Sequence, residues 1–204
     1  MSRTASAPTL APRIVATTAR RIRRRLAALL LRVVAAVAEA LGYRLLRIRD
    51  RGSLGVADGA VPYRTRVFDE AVPGVANLDP ALLAALRRAA ADAAAHGVAF
   101  TVNSGWRSPE YQRQLRREAV ARYGSEAAAA RWVSTPETSA HVAGDAVDIG
   151  PPEAAAWLSE HGAAYGLCRI YRNEPWHFEL RPEAIEHGCP PMYADPGEDP
   201  RTRR

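Results

Sequence analysis

Two short segments in the C-terminal third limit the folds open to this chain. They read Ser139-Ala-His141-Val-Ala-Gly144-Asp-Ala146-Val-Asp148 and Glu174-Pro-Trp176-His177-Phe-Glu179. Two imidazoles and one carboxylate, His141, His177 and Asp148, suit a zinc ion that keeps a fourth position open for water. Glu174, a nearby carboxylate outside that set, is what such a water needs to become a nucleophile. An acid buried with two histidines and no cation would be costly. A fold that joins the two segments is therefore expected to hold a metal.

The pattern around these segments predicts an α+β domain. Asp79-Pro80 is a helix cap followed by proline at the first helical position, opening a helix over 80–96 with Leu82, Leu83 and Leu86 on one side. Residues 98–102 read as a strand leading into Asn103-Ser-Gly-Trp106-Arg107. Ser108-Pro109-Glu110 starts another helix by the same cap logic, ending near Gly124, and a short alanine-rich helix is expected over 126–132. Residues 145–149 alternate as a strand with Ala146 and Asp148 on one face, and the small Ala146 leaves room for a metal. A helix is expected over 152–161 and strands over 167–172 and 176–180. In the last strand His177 and Glu179 share a face, opposite Trp176, Phe178 and Leu180. Helices interspersed with strands give a mainly antiparallel sheet with flanking helices. His96, His161 and His187 sit at or near helix ends, where histidine is ordinary.

Residues 102–180 resemble the VanY-type zinc D-alanyl-D-alanine carboxypeptidases, a metallopeptidase family. The matching pieces are Ser104-Gly-Trp-Arg107-Ser with Gln112, the His141 to Asp148 segment with Gly144 and Ala146, Trp157-Leu158 to Tyr165-Gly166, and Glu174-Pro-Trp-His177-Phe. Four segments in the same order make the likeness specific. It implies the hedgehog/DD-peptidase fold, with His141, Asp148 and His177 as zinc ligands and Glu174 as the catalytic base. Arg107 would stabilise the tetrahedral oxyanion or clamp a terminal carboxylate. Gln112 and Ser139 are hydrogen-bonding candidates for the terminal D-alanine. The implied reaction is removal of that D-alanine from peptidoglycan stem peptides. An L,D-carboxypeptidase, a crosslink endopeptidase or a non-catalytic zinc-containing wall-binding module are the alternatives. Two positions depart from the family's pattern: Trp106 stands where tyrosine is common, and Glu179 where arginine often follows. By strand parity Glu179 is a rival base; the role expected of it is to orient a ligand or Arg107. Pro175 cannot donate a sheet hydrogen bond, and a bend there would swing Glu174 toward the metal.

The basic formal charge of +6 is unevenly spread. Residues 1–51 hold twelve arginines against Glu39 and Asp50, and the remainder is mildly acidic, which argues against nucleic acid as a partner. The run Arg20-Arg-Ile-Arg-Arg-Arg25 before an apolar stretch resembles an export signal. Arg25, Arg32 and Glu39, seven apart, would also make one polar stripe on an amphipathic helix at an anionic membrane surface. Residues 20–48 are thus expected to meet the membrane, as a signal, an anchor or a surface helix. The expected division is 1–50 for this front end, 51–77 for a linker or entry segment, 78–192 for the zinc peptidase domain and 193–204 for a tail. The expected location is extracytoplasmic, at the cell envelope, with the cytoplasm as the alternative. Cys168 and Cys189 form no CxxC pair and flank the Glu174 segment. In an exported chain they are expected to form a disulfide, and in an internal one to stay as thiols.

Overall fold

The computed structural model describes residues 54–202, and the helix expected over 20–48 lies outside the described residues. The strands are β1 (Thr101–Ser104), β2 (Ala146–Gly150), β3 (Leu167–Arg169) and β4 (His177–Leu180). They form one sheet in the order β1-β2-β4-β3, with every neighbouring pair antiparallel. The α-helices are α1 (Pro73–Ala76), α2 (Pro80–Ala95), α3 (Pro109–Tyr123), α4 (Glu126–Ala130), α5 (Ala140–Ala143), α6 (Pro152–His161) and α7 (Ala184–His187). This is the expected α+β arrangement.

Local chemistry sets the helix ends. Asp79 Oδ1 accepts from the amides of Ala81 (2.9 Å) and Leu82 (3.0 Å), satisfying donors that the first turn leaves unpaired. Ser108 caps α3 in the same way, its Oγ accepting from the Tyr111 amide at 3.1 Å, and left-handed Gly124 ends that helix. The first strand begins later than the expected 98–102. The Val98 amide is bonded to the Ala93 carbonyl, so the chain is still leaving α2 there. Pairing starts at Thr101, opposite Gly150. The strand expected over 167–172 ends at Arg169; Tyr171 pairs instead with Tyr193 as an isolated bridge.

The sheet separates a dry face from a chemical one. Val102, Val147, Ile149 and Phe178 join Leu82, Leu86 and Ala89 of α2 and Leu158 of α6 in the main core. The alternate residues Asp148, His177 and Glu179 point to the other face, as alternation along a strand requires. Asp148 and His177 are direct cross-strand partners, as are Ala146 and Glu179. Sheet register alone therefore brings two expected ligands together.

Cys168 is bonded to Cys189, a sequence separation of 21, and Cys168 is the cross-strand partner of Glu179. The bond thus ties the chain after α7 to the strand next to β4. Replacing both cysteines by alanine is expected to lower unfolding free energy by about 2–4 kcal/mol, read as a shifted urea midpoint. Residues 193–202, expected as a tail, are tied down: the amides of Arg172 and Asn173 donate to the carbonyls of Tyr193 and Ala194. Two 3-10 turns follow, Pro196–Glu198 and Pro200–Thr202. Asp195 and Asp199 are buried there. The entry segment likewise supplies Val67 and Val75 to the main core. Among the described residues no helix is long and apolar enough to cross a membrane.

Candidate active site

A cleft of about 430 Å³ opens on the chemical face of the sheet, and its wall includes Arg107, Gln112, Ser139, His141, Asp148, Glu174 and His177. Every residue expected at the site from sequence lies on it. Asp148 comes from β2 and His177 from the start of β4. His141 comes from α5, a single turn whose left-handed end at Gly144 packs a backbone against Asn77, where a Cβ would meet the Asn77 oxygen at 2.6 Å. Glu174 precedes β4 across the turn at Pro175-Trp176, closed by the His177 amide donating to the Glu174 carbonyl.

Ligand atoms of His141, Asp148 and His177 lie within 4.8 Å of one another. Asp148 Oδ1 is 3.4 Å from His141 Nε2 and 3.3 Å from His177 Nδ1. Asp148 Oδ1 and His177 Nδ1 are buried with no hydrogen-bond partner. Leaving such atoms unpaired is costly, and a cation between them removes that cost. The far side of each ring is engaged. His141 Nδ1 donates to the Gly105 carbonyl at 2.8 Å, which leaves Nε2 as a lone pair facing the cluster. A Cβ at Gly105 would meet the Gly74 carbonyl oxygen at 1.9 Å, so only glycine fits at this crossing. His177 Nε2 donates to Glu179 Oε1 at 3.2 Å, which leaves Nδ1 for the cluster. The donor set and both ring orientations fit a divalent metal of the zinc type.

The charges are strongly coupled. Burial opposes charge on His141, and Arg107 adds to the effect, so this imidazole is held below its ordinary value. Burial also opposes ionisation of Asp148, yet the two imidazoles hold its carboxyl well below the usual range. Burial disfavours a charged His177, but Asp148 and Glu179 outweigh it and push the ring up to about 10. A proton thus balances the carboxylates at the point where the geometry suits a metal. Burial pushes the Glu174 carboxyl up to about 7, against the pull of His177. Glu174 Oε2 stands 3.7 Å from His177 Nδ1.

Arg107 is fixed by three partners. Its Nε donates to Ser104 Oγ (2.8 Å), Nη1 to Gln112 Oε1 (3.0 Å) and Nη2 to Asp148 Oδ2 (3.2 Å). Gln112 spends its other end on the Ser134 carbonyl at 2.9 Å, so both ends of its amide are used within the protein. Ser139 begins α5 without a capping bond from its hydroxyl. Glu179 lies on the same face of the sheet but outside the cleft wall, held by Arg181 at 2.5 Å and Arg201 at 2.6 Å. Its ring partner is His177, and its guanidinium partners are these two arginines. His96 and His161 bond carbonyls of their own helices, His161 stacks on Trp157 while His96 lies tilted beside it, and His187 is exposed beside Glu186.

Arg181, Asp199 and Arg201 were not legible as site residues. Arg201 is 22 positions from Glu179, within the stretch expected as a tail.

Comparison with known proteins agrees with this geometry. Residues 75–183 match the family model for VanY, D-alanyl-D-alanine carboxypeptidase. A curated relative, the D-alanyl-D-alanine carboxypeptidase of Enterococcus faecalis, is 35% identical over 42% of this chain and 41% of its own length. The match thus spans well under two thirds of that relative. A crystal structure of a mutant vancomycin resistance D,D-pentapeptidase VanY, from a VanB-type resistance cassette and in complex with Zn(II), is 32% identical. It covers 54% of this chain and 75% of its own, with a TM-score of 0.50. VanYB in complex with D-alanine-D-alanine is 31% identical over 54% of this chain and 74% of its own, also with a TM-score of 0.50.

Proposed function

The chain belongs to the VanY family of D-alanyl-D-alanine carboxypeptidases, and from that premise we propose that it is a zinc peptidase releasing the terminal D-alanine of peptidoglycan stem peptides. The observation that carries the reading is the pair of orphaned buried atoms, Asp148 Oδ1 and His177 Nδ1, converging with His141 on one point beside the cleft. The zinc and the D-alanine-D-alanine held by similar proteins support it.

His141, Asp148 and His177 would hold the metal. When bound, zinc supplies Lewis acidity that polarises a carbonyl and acidifies water. Glu174, buried and pushed up to about 7, accepts the proton of the attacking water and returns it to the leaving amine, because a base near neutrality can do both. The guanidinium of Arg107 opposes negative charge on the reacting carbonyl oxygen or on the substrate's terminal carboxylate. Ser104, Gln112 and Asp148 hold it in place, so it needs no rearrangement as charge develops. Gln112 acts through Arg107, and the Ser139 hydroxyl is the hydrogen-bonding group offered to the substrate.

The same reading places the reaction outside the cytoplasm, where the Cys168–Cys189 bond is stable. Residues 20–48 would keep the enzyme close to the membrane.

Product analysis on defined muropeptides tests the bond cut. D-alanine is expected from peptides ending in D-alanyl-D-alanine. Release only from peptides ending in a single D-alanine would make the chain an L,D-carboxypeptidase. Cleavage of crosslinked muropeptides alone would make it an endopeptidase, and a zinc-replete sample that hydrolyses none of these substrates would make it a binding module.

A further inference from the structure

We infer that the C-terminal segment is a working part of the metal site: Arg201 and Asp199 are positioning residues that fix the ring of His177 and so set how tightly the metal is held. The family model matches residues 75–183, and Asp199 and Arg201 lie after that stretch. The inference rests on the metal reading of His141, Asp148 and His177.

A closed circuit of contacts carries it. His177 Nε2 donates to Glu179 Oε1. Arg201 grips both oxygens of that carboxylate, Nη1 on Oε2 at 2.6 Å and Nη2 on Oε1 at 3.2 Å. Arg181 reaches only Oε2, so of these two arginines it is Arg201 that touches the oxygen receiving the His177 proton. Arg201 is in turn held by Asp199, whose two oxygens accept its Nε at 3.0 Å each and its Nη2 at 2.5 Å. Asp199 is fully buried and also accepts from the Tyr171 hydroxyl at 2.9 Å. The Tyr171 ring returns to the start, its centre 5.0 Å from that of His177. His177 is thus held by the hydrogen bond it donates to Glu179 and by packing against Tyr171, and both restraints end on Asp199.

The physical consequence is directional. A planar guanidinium bound to both carboxylate oxygens fixes the plane of that carboxylate. Glu179 then keeps the His177 proton on Nε2 and the Nδ1 lone pair toward Asp148. Partners of this kind on a ligating histidine typically change metal affinity by about 10–100-fold. Arg201 lies partly at the surface, with 43% of its side chain exposed, and Arg181 remains to balance Glu179. Its loss is therefore expected to loosen the ring without unfolding the domain.

The test measures zinc affinity of the full chain by chelator competition, for wild type, Arg201→Met and Arg201→Lys. Arg201→Met is expected to bind zinc about 10–100-fold more weakly, with Arg201→Lys between it and wild type and circular dichroism unchanged. Unchanged zinc affinity in a folded Arg201→Met chain overturns the inference alone. Wild type that binds no zinc overturns the metal reading beneath it. A second measurement needs no variant: nitrogen-15 histidine spectra of the zinc-loaded wild type should show His177 protonated at Nε2. Ligation through Nε2 instead would overturn the inference even if the variants failed to fold.

Discussion

Glu174→Gln is expected to lower D-alanine release by about 10²–10⁴-fold, the range that a positioned general base contributes, while the chain keeps its zinc. The substitution preserves shape in a site where Glu174 is only 7% exposed, so packing changes little. It removes the one property the proposed mechanism asks of this residue, a carboxylate that can take a proton near neutral pH. Glu174 stands outside the cluster formed by His141, Asp148 and His177, so metal content should stay at wild-type level. The two readouts together separate a base from a ligand. Normal turnover would remove Glu174 from the mechanism, and loss of zinc would make it a ligand.

Asp148→Asn is expected to remove both metal and turnover. Asp148 supplies the only carboxylate of the cluster, with Oδ1 set between the two imidazoles and Oδ2 receiving Arg107. Asparagine keeps the outline but loses the negative charge and offers an amide that is a poor ligand for a divalent cation. Zinc affinity should fall by more than the ~100-fold that marks the loss of an outer partner, and D-alanine release should fall to background. Arg107 loses its counter-charge at the same time, so a lower melting temperature is also expected. Zinc bound at wild-type affinity by Asp148→Asn would show that the metal sits elsewhere.

Much of the site was legible because its logic is local. Strand parity placed His177 and Glu179 on one face and Phe178 on the other, and the structure has Phe178 in the core and His177 on the cleft. The Asp79-Pro80 and Ser108-Pro109 caps marked two helix starts to the residue. The proposed ligands stood out by residue type and family likeness, and sheet register makes Asp148 and His177 neighbours. What escaped was non-local. Nothing around Arg201 points to Glu179, because the contact depends on the C-terminal segment folding back beside β3 and β4. Gln112 was expected to face substrate, but its amide is consumed by Arg107 and Ser134, a distinction that residue type cannot make. The late start of β1 came from the backbone bonds that finish α2, which hydrophobic pattern does not register.

The departure at Glu179 acquires a physical meaning from these contacts. An acid on a strand facing a metal site would ordinarily compete for the cation or repel a carboxylate substrate. Here Glu179 is 1% exposed and is neutralised by Arg181 and Arg201. Burial opposes its ionisation, but His177 and Arg201 hold it well below the usual carboxylate range. Its charge is spent on the far side of His177, outside the cleft wall that carries Glu174.

The most direct test is a zinc titration of the metal-free chain followed by D-alanine release from a peptide ending in D-alanyl-D-alanine. The account predicts no release without metal, a rise in proportion to added zinc, and saturation at one zinc per chain. Release that persists in the fully metal-free chain, or one bound zinc with no release, would contradict it.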